Sequence, residues 1–246
     1  MDLGASGEEG QNWLLLFDKM AKKETGASDV RIDSVVITPW KALLTHVTCG
    51  VGLGVAFHAA HNFYSINLIQ NPAKTLRLIW VIEAPVVILL YSLFRHRPNQ
   101  CSYLKAVVRG LLALPAGAVV NALGAIALGS PMIQNFNRTL HWSLLMSVLT
   151  CVPTASVFGS SWADWHRIFA HTKPSGPVEY MICLPAHGAV IGAWFGAWPM
   201  PLDWERPWQD WPVCVSYGAL AGYCVGMAAA FGFVCFGNNR RHVKGD

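Results

Sequence analysis

Residues 192–212 read Gly192-Ala-Trp-Phe-Gly-Ala-Trp-Pro-Met-Pro-Leu-Asp-Trp-Glu-Arg-Pro-Trp-Gln-Asp-Trp-Pro212. The stretch holds five Trp, four Pro and four charged residues, and apolar segments flank it on both sides. Tryptophan favours the membrane–water boundary, where its ring meets acyl chains and its N–H meets water. Proline fixes the backbone and resists a helix running through. The stretch therefore reads as a rigid hairpin at a bilayer surface, joining two spanning helices.

The composition agrees. The chain is 53% hydrophobic and 13% charged over 246 residues, whereas a soluble domain is about 25% charged. The net charge of +4 is small and dispersed, with no basic stripe interleaved with aromatics, which excludes a nucleic-acid partner. Seven Cys form no CxxC pair, so neither a disulfide framework nor a structural zinc is indicated. They read as free thiols serving as small apolar residues.

A helical span needs about 20 mostly apolar residues. Six such runs occur, roughly at 42–64, 76–94, 106–128, 140–160, 178–199 and 212–236. Lipid offers the backbone no hydrogen-bond partner, so each run should be helical. The fold class is all-α, a polytopic helical bundle. Pro85, Pro115, Pro153 and Pro185 lie inside four of the runs and should kink them where neighbouring helices re-satisfy the freed carbonyls. The domain layout is a leader over 1–38, a six-span membrane domain over 39–238 and a basic tail over 239–246.

Positive charge near span ends sets orientation. One side collects Arg31, Lys41, Arg95, Arg97, Lys105, Arg109, Arg167, Lys173, Arg240, Arg241 and Lys244; the other has only Lys74, Arg77, Arg138 and Arg206. Both termini are expected on the cytosolic side and the Trp-rich hairpin on the luminal side. No cleavable signal peptide is expected, because Asp2, Glu8 and Glu9 stand where a basic n-region would be. In the leader, Trp13, Leu16, Phe17 and Met20 share one helical face, which fits either an interfacial helix or an unstructured leader. The sequon Asn137-Arg-Thr139 lies too close to the fourth span to favour glycosylation.

Candidate chemistry is sparse. His58 and His61 share a helix face at the end of the first span, a spacing that could bind a metal. No second His pair accompanies them, and an interfacial polar cap is the better account. Glu83 is the one acid well inside a span. A charge there costs about 2.5–3.5 kcal/mol on insertion scales, which makes it a functional candidate by default. Its partners would be His46, Asn121 or His187. A transporter of lipid or solute would need these to face one cavity, while a protonated Glu bonded across helices, or one touching a partner protein, needs no cavity.

The connectors on the expected luminal side, near 65–75, 129–139 and 200–211, are too short for a soluble catalytic domain of at least about 50 residues. There is no P-loop, GxSxG or HExxH. Asp203, Glu205 and Asp210 surround Arg206 and read as a surface salt-bridge cluster between Trp and Pro, not as a metal site. Gly188, Gly192 and Gly196 recur every four residues, as do Gly218, Gly222 and Gly226. That spacing puts a smooth groove on one face of each of the last two spans. The partner of each groove is either the other span or another protein.

Pro201-Leu-Asp-Trp-Glu-Arg-Pro-Trp-Gln-Asp-Trp-Pro212, preceded by Gly196-Ala-Trp-Pro-Met-Pro, resembles the signature of the PIG-F family. A weaker similarity runs through Thr150, Val152, Pro153, Gly159, Trp165, Arg167 and Phe169. The resemblance implies a multi-pass endoplasmic-reticulum protein of glycosylphosphatidylinositol (GPI) anchor synthesis. It implies a non-catalytic subunit, with no cofactor, that binds and stabilises ethanolamine phosphate transferases acting on the second and third mannoses of the glycolipid. The implied partners are large multi-pass catalytic subunits, PIG-O-like and PIG-G-like, and membrane lipids. The expected interface is Pro201, Asp203, Trp204, Glu205, Arg206, Pro207 and Trp208, with the six glycines as helix-packing positions.

Overall fold

The computed structural model describes residues 37–131 and 135–243, with side chains of the last helix as far as 236. Residues 1–36 of the leader, with the face expected of Trp13, Leu16, Phe17 and Met20, lie outside the described residues. The membrane unit is helical, and consecutive long helices run up and down through short connections. We number them α1 (Pro39–Asn62), α2 (Pro72–Leu93), α3 (Tyr103–Ala127), α4 (Phe136–Leu149), α5 (Cys151–Phe158), α6 (Trp162–Trp165), α7 (Pro177–Ala197) and α8 (Val213–Val243). Helices α1, α2, α3, α7 and α8 are each long and apolar enough to cross a membrane, and α4 with α5 makes a sixth if the pair is one span.

α1 to α4 start three or four residues ahead of their apolar runs, and α7 one residue ahead. α1, α2 and α7 each begin at a proline, Pro39, Pro72 and Pro177. The first turn needs no amide donor, and the fixed φ of proline is already helical. A hydropathy window does not count these residues. At the other end of the chain, α8 runs on to Val243, past residue 239 where the basic tail was expected to start.

The prolines behave differently from one another. Pro85, Pro115 and Pro185 remain inside continuous helices. Pro153 marks a break: α4 stops at Leu149, α5 starts at Cys151, and the two are bent by 42°. Proline at 153 leaves the Leu149 carbonyl without its amide and its ring crowds that carbonyl. The hydroxyls of Thr150 and Thr154 donate to Met146 and Thr150 carbonyls one turn back, an arrangement that also bends helices. The fourth run is therefore two helices meeting at an angle.

The core is centred where α2, α4, α5, α7 and α8 meet, around Leu76, Ile79, Val87, Leu145, Leu149, Met181, Ile182 and Tyr223. Many large apolar side chains point outward, among them Val51, Leu112, Val120, Trp194 and Val225. In water such a surface would be an interaction liability, whereas lipid accommodates it.

Candidate functional site: the glycine seam and the tryptophan–proline connector

α7 and α8 pack backbone to backbone. A Cβ added at Gly192 would strike the carbonyl oxygen of Gly218, and one at Gly218 would strike that of Gly192. Gly188 and Gly222 stand in the same reciprocal relation; Gly196 meets the Cys214 carbonyl and Gly226 meets that of Leu184. All six glycines thus lie in one seam, and each groove faces the other helix. Small residues are needed because association inside lipid relies on close packing, not on hydrophobic exclusion. By contrast, Gly50 and Gly54 of α1 have nothing within 4 Å of an added Cβ.

The connector closes the seam at one end. Pro201, Asp203, Trp204, Glu205, Arg206 and Pro207 are all exposed, Trp208 half so. The residue that organises them is Gln209, only 8% exposed and given no role by the sequence reading. Its Nε2 donates to the carbonyls of Pro199 at 2.7 Å and Leu202 at 2.8 Å, and its Oε1 accepts from the Arg206 amide at 2.9 Å. One side-chain amide therefore ties together three backbone groups of the loop, adding to the Leu202 amide on the Pro199 carbonyl and the Trp204 amide on the Leu202 carbonyl. Trp204 and Trp208 meet edge to face with centroids 6.0 Å apart, and the Cys214 thiol donates to the Trp208 carbonyl at 2.6 Å.

The connector is also tied to α4. Trp211 donates from Nε1 to Thr139 Oγ1 at 3.0 Å, and Arg138 donates to the Trp211 carbonyl at 3.2 Å. The rings of Trp142 and Trp211 lie 5.1 Å apart. Thr139 is buried, so the sequon's hydroxyl residue is part of this packing. The expected salt-bridge cluster is not present. Among the described residues the ion pairs join Arg167 to Asp164 and Glu179, and none involves Asp203, Glu205 or Arg206. These exposed charges remain hydrated, since a surface pair gains too little to order long side chains.

Glu83 is fully buried in α2, against the Cys49 thiol and Gly52 of α1. A Cβ at Gly52 would collide with its carboxyl oxygen, so that glycine makes room for the acid. Neither carboxyl oxygen has a hydrogen-bond partner of good geometry among the described residues, nor do the ring nitrogens of buried His46. The other suggested partners lie elsewhere. Asn121 donates to the Gly117 carbonyl of its own helix at 2.8 Å, and His187 to that of Cys183 at 2.7 Å. Asn121 lines a cavity of about 470 Å³ among α3, α4, α7 and the connector, and Glu83 and His46 are not among its lining residues. The single cavity that a transporter reading requires is not formed by these three side chains.

His58 is exposed and its ring pairs with Asn62 at 2.9 Å. Among the described residues no three His, Cys, Asp or Glu gather as metal ligands. At the opposite end from the connector, Arg167 forks between Asp164 and buried Glu179, both at 2.6 Å. Ser175 adds its amide to Glu179 at 2.7 Å. Arg167 sits in a π-helical turn, His166–Ala170, which breaks the spacing that would have revealed its partners.

The family model for the GPI biosynthesis protein family Pig-F matches residues 52–231, which takes in both glycine triplets, the connector and Glu83. A PIGF/3-ketodihydrosphingosine reductase fusion protein of Schizosaccharomyces pombe is 35% identical over 65% of this chain and 32% of its own length. The human GPI ethanolamine phosphate transferase, stabilizing subunit, is 35% identical over 40% of this chain and 45% of its own length. Glycosylphosphatidylinositol anchor biosynthesis protein 11 of Aspergillus fumigatus is 34% identical over 50% of this chain and 39% of its own length. The chain thus spans less than half the length of these relatives. No solved structure matches. With the family pattern extending across five of the long helices and the connector between the last two, the chain belongs to the Pig-F family of GPI biosynthesis proteins.

Proposed function

We propose that this chain is a non-catalytic subunit that binds and stabilises the ethanolamine phosphate transferases of GPI-anchor synthesis, in the endoplasmic-reticulum membrane. In this reading both termini are cytosolic and the connector is luminal. The chemistry belongs to large multi-pass catalytic subunits, PIG-O-like and PIG-G-like, that modify the second and third mannoses of the glycolipid.

The connector carries the proposal. Gln209 fixes its backbone from within while Asp203, Trp204, Glu205 and Arg206 face outward. An exposed indole beside an arginine on a rigid loop has the composition of an interface hot spot, and little ordering entropy remains to be lost on binding. The name of the human relative, a stabilizing subunit, supports the same role. The seam holds α7 and α8 together as a base for that loop.

Purification in mild detergent tests the reading. A much larger multi-pass protein should co-purify, and Trp204→Ala should lower its recovery about tenfold with the chain itself still folded. Recovery of the chain alone would overturn the role. Orientation is tested separately: a tag after Asp246 should be open to protease in intact microsomes, and its protection would reverse the topology.

A further inference from the structure

The end of the bundle away from the connector holds a walled polar cavity of about 330 Å³. His96, Arg97 and Gln100 from the α2–α3 turn, Lys105 and Arg109 from α3, and Asp164 from α6 line it. Lys105 and Arg109 are one helical turn apart, so both project from the same face.

The wall is built, not incidental. The His96 amide donates to the Val157 carbonyl at 2.9 Å, which fastens the turn to the end of α5. Arg109 is held by the Cys101 sulfur at 3.3 Å and lies flat against Gly159. Gly159 has φ +64, and a Cβ there would stand 2.7 Å from the Arg109 guanidinium. Glycine is needed twice over at that position, for the backbone and for the arginine. The Trp165 indole then donates to the Gly159 carbonyl at 2.8 Å, closing the corner.

The charges inside do not cancel. Asp164 is already engaged by Arg167 at 2.6 Å, and among the described residues the ion pairs involve no other arginine or lysine of this end. Arg97, Lys105 and Arg109 therefore converge with no ion pair of their own, three cations beside one carboxylate that Arg167 already engages. A general excess of cations at one membrane face sets orientation but gives no reason for a guanidinium packed into a cavity wall. Close by in the chain, Leu93 near the end of α2 and Leu104 and Val108, which precede Lys105 and Arg109, are exposed and apolar, as surfaces for acyl chains would be.

We propose that this cavity binds the phosphate-bearing headgroup of an anionic membrane lipid. The planar fork of Arg109 suits phosphate oxygens, Lys105 and Arg97 supply point charges, and the acyl chains lie along Leu104 and Val108. Basic pockets between spanning helices take such headgroups elsewhere. The inference is independent of the role assigned to the connector, at the other end of the bundle.

The test uses the full chain in detergent micelles, with binding read by native mass spectrometry. The probes are dioctanoyl phosphatidylinositol 4-phosphate, dioctanoyl phosphatidylcholine and inorganic phosphate. The anionic lipid should bind saturably and in preference to the phosphatidylcholine. Lys105→Gln and Arg97→Gln should each weaken it about fivefold. Both side chains are exposed, so these variants keep the fold even where Arg109→Gln disturbs Gly159. Lys74→Gln, at the opposite end, should change nothing. Displacement by inorganic phosphate at equal concentration would overturn the lipid assignment in favour of a soluble phosphate. Equal binding of the two lipids, or no effect of Lys105→Gln and Arg97→Gln, would overturn the site.

Discussion

The phenolic hydroxyl of Tyr91 in α2 donates a 3.0 Å hydrogen bond to the Met181 carbonyl of α7, four residues before Pro185. That carbonyl is the one whose intrahelical amide Pro185 removes. A neighbouring helix thus repairs the proline's defect, as a spanning helix requires where no water reaches. The bond also ties the first half of the bundle to the α7–α8 seam.

Tyr91→Phe should destabilise the purified protein by about 1–2 kcal/mol, because a buried carbonyl loses its donor. The control is Pro185→Ala, which restores an amide at position 185. In that background Tyr91→Phe should cost much less, giving a clear coupling in a double-mutant cycle. Thermal unfolding in detergent measures all four proteins; strictly additive effects would disconnect the tyrosine from the proline.

Gly192→Leu should cost about 3 kcal/mol or more, since the added side chain meets the Gly218 carbonyl and overpacking of this kind shifts backbone. Gly50→Leu, with nothing within 4 Å of its Cβ, should leave stability within about 0.5 kcal/mol. Detergent-resistant folded fraction reads both. Equal tolerance of the two substitutions would refute the close approach of α7 and α8.

Gln209→Ala should loosen the connector without unfolding the helices. The Arg206 amide loses its partner, while the carbonyls of Pro199 and Leu202 keep the amides of Leu202 and Trp204 and lose only their second donor, at a cost of about 1–2 kcal/mol, held down by access to water. Amide exchange at Arg206 should accelerate about tenfold and the loop should become sensitive to protease. Unchanged exchange at that amide would show that the prolines alone hold the loop.

Much of this architecture was legible because its causes are local. Runs of apolar residues, each bounded by prolines or charges, mark the spans to within a few residues. The Trp–Pro string announces a turn whatever it packs against. The break at Pro153 was less legible: proline is tolerated inside three other helices here, and only the back-bonding of Thr150 and Thr154 beside it distinguishes the fourth. Gln209 escaped notice because nothing in a polar side chain within a polar loop signals burial.

The all-helical class, the approximate spans and the place of the connector follow from the residues alone, since lipid forces each apolar run into a helix and four prolines within 199–212 interrupt the helix between the last two. So does the presence of grooves on the last two spans, because every-fourth spacing is a property of one helix. That those grooves face each other, that Gly52 accommodates Glu83 and that Arg167 reaches Glu179 follow from the three-dimensional packing alone. These helices are apolar on most sides, so their periodicity does not separate the face toward lipid from the face toward protein. That choice is made by shape and by hydrogen bonds between residues far apart in the chain.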